Sequence, residues 1–134
     1  DKEISINTNN NLYYYKDNEY YVRTKDNLVI TEKENVYGDI DNNYIELKNI
    51  LKYIDKSTLD RTTNYSSGEI DSVYYLYLKD IIPNYIDDDY VEIIVNEKNE
   101  SLNIKIDYSK LMNYKNKDIN KYIVDIQYTD INKK

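Results

Sequence analysis

The stretch that most constrains the fold is residues 89–107, DYVEIIVNEKNESLNIKID, in which two arms of alternating apolar and polar side chains flank a polar turn. A period of two is typical of half-buried strands, so the stretch is predicted to be an antiparallel hairpin. A hairpin with one apolar face is not stable alone in water, and other elements must cover it. The apolar positions are Val91, Ile93 and Val95 on the first arm and Leu102, Ile104 and Ile106 on the second.

Shorter runs of the same kind predict further strands, and the Asn and Asp residues between them favour turns. Residues 57–68 are polar and are predicted to be a turn-rich loop, and residues 79–82 a single helical turn. Residues 108–114 are predicted to be a connector with Leu111 and Met112 directed inward. The remaining strands are expected at residues 4–6, 12–16, 20–24, 28–32, 69–78 and 122–128.

One segment, residues 43–55, has the pattern of an amphipathic helix. Asn43 can cap it, and Glu46 three residues later completes a box-like arrangement. Its apolar residues recur at helical spacing and form one stripe, which suits a helix lying across a sheet. The stripe consists of Tyr44, Leu47, Ile50, Leu51 and Ile54.

These elements predict an α+β protein with a curved antiparallel sheet of about six to eight strands, a half-barrel, and one main helix packed on its concave face. A chain of 134 residues is expected to form a single domain, residues 1–134.

Composition narrows the range of functions. The net charge of −7 disfavours a nucleic-acid partner, because an acidic chain repels phosphates. The chain has no His and no Cys, which excludes thiolate zinc sites and a Cys nucleophile. The sequence predicts no metal, no cofactor, no transmembrane segment and no enzymatic activity. The competing enzyme hypothesis is a hydrolase that uses carboxylates alone, chosen from Asp87, Asp88, Asp89, Glu92 and Asp125.

The order of segments over residues 67–133 resembles the carboxyl half of the LolA-type carriers and the related LprG/LppX-like bacterial lipoproteins. The resembling segments are SGEI at 67–70, YYLYLKDI at 74–81, the hairpin arms 91–95 and 102–107, YSKL at 108–111, and the close at 128–133.

The resemblance implies a half-barrel cavity that holds an acyl chain or another apolar ligand. It also implies a location outside the cytoplasmic membrane, with anchoring through a lipidated amino-terminal segment that is removed from this chain. Residues 73–78 are apolar on both faces, so both faces need cover, and a ligand could supply part of it. The predicted lining residues are Tyr75, Tyr77, Val91, Ile93, Val95, Leu102, Ile104 and Ile106, opposite Leu47, Ile50, Leu51 and Ile54.

A second hypothesis is a small acidic protein-interaction module, such as an immunity protein, an inhibitor or a surface adhesin domain. The chain has 18 Tyr and no Phe or Trp. Exposed tyrosines bury a large area at low entropic cost, which suits a protein interface. The lipid hypothesis requires an enclosed apolar cavity, whereas the interaction hypothesis requires an exposed patch of tyrosines.

Overall fold

The computed structural model describes residues 2–9, 11–24, 27–32, 61–66, 69–98 and 100–129. Among these residues, the single α-helix, α1, spans Ser109–Lys115, and a 3-10 helix spans Leu78–Asp80. The strands are β1 (Lys2–Thr8), β2 (Leu12–Lys16), β3 (Glu19–Thr24), β4 (Asn27–Thr31), β5 (Arg61–Ser66), β6 (Glu69–Tyr77), β7 (Tyr90–Lys98), β8 (Ser101–Asp107) and β9 (Tyr122–Tyr128).

All nine strands belong to one sheet, in the order β4-β3-β2-β1-β9-β8-β7-β6-β5. Each pair of neighbours is antiparallel, and the sheet is curved and unclosed, which confirms the predicted α+β class and half-barrel shape. Two meanders, β1 to β4 and β5 to β9, meet at the centre, where β1 pairs with β9 from Lys2 opposite Tyr128 to Thr8 opposite Tyr122.

The β2–β3 turn shows how local sequence sets strand register. Its two residues, Asp17 and Asn18, have positive φ angles of 53° and 66°. Two left-handed residues in a row are typical of a tight hairpin turn that matches the twist of the strands, and Asp and Asn tolerate this conformation. The turn places Lys16 opposite Glu19 and sets the pairing of the two strands.

One face of the sheet, here called the core face, carries most of the buried apolar side chains. Helix α1 lies against β7 and β9, and its Leu111 and Met112 are buried, as predicted for this segment. Burial of each such side chain contributes roughly 1.5–3 kcal/mol. The buried core consists of Ile4, Ile6, Leu76, Leu78, Val91, Ile93, Ile104, Ile106, Tyr108, Leu111, Met112, Tyr122, Val124 and Ile126.

The segment predicted as a connector is a helix because its first turn is held by neighbouring polar groups. The Ser109 backbone N–H donates to Asp107 Oδ1 at 2.9 Å, and the Tyr122 N–H donates to Ser109 Oγ at 3.0 Å. The Asp107 carboxylate also suits the positive end of the helix. These contacts fix the start of α1 between the end of β8 and the start of β9.

The prediction of a loop over residues 57–68 is wrong for residues 61–66, which form the edge strand β5. Its pairing with β6 runs from Arg61 opposite Tyr74 to Ser66 opposite Glu69. The sequence RTTNYS lacks an apolar alternation. Backbone hydrogen bonds do not depend on side-chain polarity, so a polar segment can still extend a sheet at its edge. The helix predicted over residues 43–55 lies outside the described residues.

A single exposed side chain joins the β1–β2 turn to the loop that precedes β9. Asn9 Oδ1 accepts from the backbone N–H groups of Asn120 at 2.9 Å and Lys121 at 2.7 Å. Its Nδ2 donates to the Asp118 carbonyl oxygen at 2.7 Å. Asn9 therefore holds the entry of β9 against the end of β1.

Candidate functional site

The hairpin residues predicted to line a ligand cavity lie on the core face. Val91, Ile93, Ile104 and Ile106 are buried, and they pack with the core that α1 covers. Val95 and Leu102 are half-buried and pack against the rim of the same core. The predicted opposing residues Leu47, Ile50, Leu51 and Ile54 lie outside the described residues.

Tyr75 and Tyr77 do not join this group, because they lie on the opposite face of the sheet, here called the outer face. Tyr75 pairs with Glu92 and Tyr77 with Tyr90, whereas the buried Leu76 pairs with the buried Val91. Successive residues of a strand point to opposite faces. The structure therefore separates the two tyrosines from the six hairpin residues.

On the outer face, Tyr75, Tyr77 and Tyr90 form what we call the tyrosine cluster. The ring centroids of Tyr75 and Tyr90 lie 4.9 Å apart at 85°, and those of Tyr77 and Tyr90 lie 5.9 Å apart at 74°. Both are edge-to-face contacts, the arrangement that the ring quadrupole favours. Tyr90 is 40% exposed, so the cluster presents aromatic surface to solvent.

A cation already lies on this cluster. Lys79, in the 3-10 helix, has its Nζ 5.3 Å from the centroid of the Tyr77 ring. The same ammonium group pairs with Asp88 Oδ1 at 3.2 Å. Cations are attracted to the negative face of an aromatic ring at such distances. The outer face at Tyr77 can therefore hold a positively charged group.

Beside the cluster is a cleft of about 260 Å³, here called the acidic cleft. Tyr90 belongs both to the tyrosine cluster and to the lining of the acidic cleft. Glu92 on β7 lies directly opposite Asp107 on β8, so two carboxylates face the same space. The cleft is lined by Asp88, Asp89, Tyr90, Glu92, Asp107, Ser109 and Lys110.

Three of the five carboxylates considered for hydrolysis, Asp88, Asp89 and Glu92, line this cleft. Asp87 is exposed in the preceding loop. Asp125 lies on β9 and accepts a hydrogen bond from Asn103 Nδ2 at 2.6 Å. Asp107 completes the acidic lining and was not among the predicted residues, because its position in the sequence does not show that β8 places it opposite Glu92.

Tyr85 fixes one of these carboxylates. Its hydroxyl donates to Asp89 Oδ2 at 2.5 Å, and its ring contacts that of Tyr114 at a centroid distance of 5.5 Å. The hydrogen bond to Asp89, with burial and the negative charges of Asp89 and Asp87, raises the pKa of Tyr85 to about 12. A tyrosine with this pKa remains a neutral donor at physiological pH, so it holds the Asp89 carboxylate in place.

The middle of the outer face differs from the tyrosine cluster because its polar groups bond to one another. Asn96 Nδ2 donates to Asp71 Oδ1 at 2.6 Å, and Asn103 Nδ2 donates to Gln127 Oε1 at 2.9 Å as well as to Asp125. These amides and carboxylates face each other across strands β6 to β9. Side chains satisfied in this way have fewer groups to offer a partner.

Within the described part of the chain, no group of three or more Asp or Glu residues is arranged to hold a metal ion. The same residues contain no helix long and apolar enough to cross a membrane. No protein-family model, curated protein or solved structure matches this chain. The resemblance to the LolA-type carriers therefore stays a hypothesis.

Proposed function

We propose that this protein is a non-enzymatic interaction module that binds a protein partner presenting a basic segment. The observation that carries the proposal is the tyrosine cluster, in which Tyr90 packs edge-to-face on both Tyr75 and Tyr77 and is 40% exposed. Rigid, exposed aromatic side chains are the residues that most often anchor protein interfaces. Because each ring supports its neighbour, the cluster is ordered before a partner arrives, which reduces the entropic cost of binding.

The charge near the cluster determines the kind of partner. Asp88, Asp89, Glu92 and Asp107 line the adjoining cleft, and the whole chain has a net charge of −7. A partner with Lys or Arg side chains would be steered to this face and could place a cation on an aromatic ring. An acidic partner would be repelled. Charge complementarity therefore favours a basic protein segment.

A synthetic arginine hexapeptide tests the proposal, with a citrulline hexapeptide as the neutral control of nearly equal shape. We expect the arginine peptide to bind in isothermal titration calorimetry, more weakly as salt is added, and the citrulline peptide not to bind. Replacing Tyr90 with Ala should weaken binding about tenfold, which corresponds to the loss of one interface anchor.

Tyr14→Ala is the matched control, since Tyr14 is a half-buried tyrosine on the outer face of the distant strand β2. It should leave the affinity unchanged. Equal binding of both peptides, equal loss in both tyrosine variants, or no binding of the arginine peptide would overturn the proposal.

The proposal that the protein is not an enzyme needs its own test, because Asp88, Asp89 and Glu92 share a cleft. A hydrolase of the glycosidase kind would use two of these carboxylates as acid and base or nucleophile. We expect no turnover of nitrophenyl glycosides by the purified protein. Turnover that disappears in Glu92→Gln would establish the hydrolase instead.

Lipid carriage remains the second proposal, and the rim of the core favours it. Val95, Leu102, Tyr13 and Tyr74 are partly buried apolar side chains at this rim on the curved core face. An acyl chain could cover such a rim. Native mass spectrometry should then detect a co-purifying lipid, and a fluorescent fatty acid should bind and be displaced. A solid core that binds neither would contradict this proposal.

The proposed location accompanies lipid carriage: outside the cytoplasmic membrane, anchored by a removed amino-terminal lipidated segment. The uncut amino terminus encoded by the gene tests it. A signal peptide ending in a lipidated cysteine would support the location, and a start codon directly before this domain would contradict it.

A further inference from the structure

The backbone of the 3-10 helix places Lys79 beside the tyrosine cluster. The preceding residue, Leu78, is buried, and its N–H donates to the Asp89 carbonyl oxygen at 2.9 Å. These contacts fix the 3-10 helix beside the start of β7. In the free protein the Lys79 ammonium lies between the Tyr77 ring and the Asp88 carboxylate.

We propose that Lys79 occupies, in the free protein, the position that a cationic side chain of the partner takes in the complex, so that binding requires Lys79 to leave. This inference rests on the proposed function and adds a built-in competitor to it. The ring face of Tyr77 and the nearby oxygen of Asp88 can neutralise one cation at a time, because a second cation there would be repelled by the first.

The competitor is weak enough to be displaced. The side chain of Lys79 is 45% exposed and that of Asp88 is 88% exposed, so water screens their attraction. An exposed cation–π contact corresponds to a factor of roughly two to five in an equilibrium constant. Lys79 is thus expected to reduce the affinity for a cationic ligand by about this factor, without blocking the site.

The first experiment measures the affinity of the arginine hexapeptide for Lys79→Met, which keeps the aliphatic stem and removes the charge. We expect binding about two to five times tighter than in the parent protein. Lys110→Met is the matched control, because Lys110 lines the acidic cleft and its loss changes the net charge equally. A Lys79→Met gain that exceeds the Lys110→Met gain supports direct competition, and equal gains overturn it.

The second experiment observes Lys79 directly by NMR. Its ε-methylene protons lie near the Tyr77 ring, so the ring current should shift them upfield. Saturation with the arginine peptide should return this resonance towards the value of an unstructured lysine. A resonance that stays in place while the peptide binds in a Tyr90-dependent manner overturns the competition and leaves the proposed function intact. If the arginine peptide binds neither the parent protein nor Lys79→Met, both the competition and the proposed function are overturned.

Discussion

Glu92 and Asp107 lie directly opposite each other on the neighbouring antiparallel strands β7 and β8. Side chains at opposed positions have Cβ atoms about 4.5–5.5 Å apart, so two like charges at these positions repel each other. Asp107 also accepts a hydrogen bond from the Ser109 N–H at the start of α1. The carboxylate of Asp107 therefore stabilises the helix and repels Glu92 at the same time.

Because Asp107 has this structural role, the repulsion can be removed cleanly only at Glu92. We expect Glu92→Gln to raise the free energy of unfolding by about 0.5 kcal/mol at neutral pH and low salt. Urea unfolding followed by circular dichroism measures it. Glu97→Gln is the control, since Glu97 on the same strand pairs with the apolar Leu102 of β8 and should change stability little. A destabilised Glu92→Gln would contradict the repulsion.

The hydrogen bond between Tyr85 and Asp89 gives the stability a dependence on alkaline pH. An unfolded tyrosine loses its proton near pH 10, whereas the folded pKa of Tyr85 is raised to about 12. Because the folded pKa is raised, the stability that this hydrogen bond contributes is fully present below pH 10 and is lost as the pH rises through 12. Tyr85→Phe should therefore be less stable by about 1 kcal/mol at neutral pH, with the deficit shrinking above pH 10.

Urea unfolding over a range of pH values checks this expectation. Tyr114→Phe serves as the control, because the Tyr114 ring contacts Tyr85 but the bond to Asp89 is donated by Tyr85. A deficit in Tyr85→Phe that is the same on both sides of pH 10 would show that the proton is not responsible.

The centre of the core face should be the most sensitive region to truncation. Ile106 is fully buried, and replacing it with Ala removes apolar contacts and leaves a cavity, at a cost of about 2–5 kcal/mol. Ile86→Ala makes the same chemical change at a side chain that is 87% exposed, and its cost should stay within about 0.5 kcal/mol. Thermal unfolding of both variants measures the difference. Equal melting temperatures would mean that Ile106 is not packed as described.

Asn9 provides a test of how the end of β1 is joined to the loop before β9. Asn9→Ala removes two accepted bonds and one donated bond, all on the surface, and should destabilise the protein by about 1 kcal/mol. Asn9→Asp keeps the acceptor and loses the donor, so an intermediate effect is expected. Asn120→Ala is the control, because Asn120 contributes only its backbone N–H to this contact.

The sequence predicted the elements whose side chains alternate between apolar and polar. It failed where backbone pairing at a sheet edge or individual polar hydrogen bonds decide the structure. The hairpin arms that carry Ile93 and Ile104 were identified because one side of each strand is apolar. Strand β5 was missed because an edge strand can be polar on both sides. Residues 109–115 form a helix whose start is fixed by hydrogen bonds that Ser109 makes with Asp107, nearby in the sequence, and with Tyr122, farther along it. The spacing of apolar residues contains no information about such polar contacts.

The sequence predicted only part of the candidate site, for a related reason. Residues 73–78 are apolar at every position, so periodicity cannot assign Tyr75 to a face. Only the pairing of Leu76 with Val91 makes that assignment. Asp88, Asp89 and Glu92 stood out in the sequence as an acidic group, but their cleft also needs Asp107 from the other arm of the hairpin.

The pairing of β1 with β9 has a consequence for how the protein is made. These strands are neighbours at the middle of the sheet, although almost the whole described chain separates them. A ribosome releases Ile4 and Ile6 long before it has synthesised Val124 and Ile126, the residues that face them. Contacts between such distant segments form slowly. Until β9 has been synthesised, the first meander therefore has an unpaired strand edge at β1, a state that molecular chaperones are suited to protect.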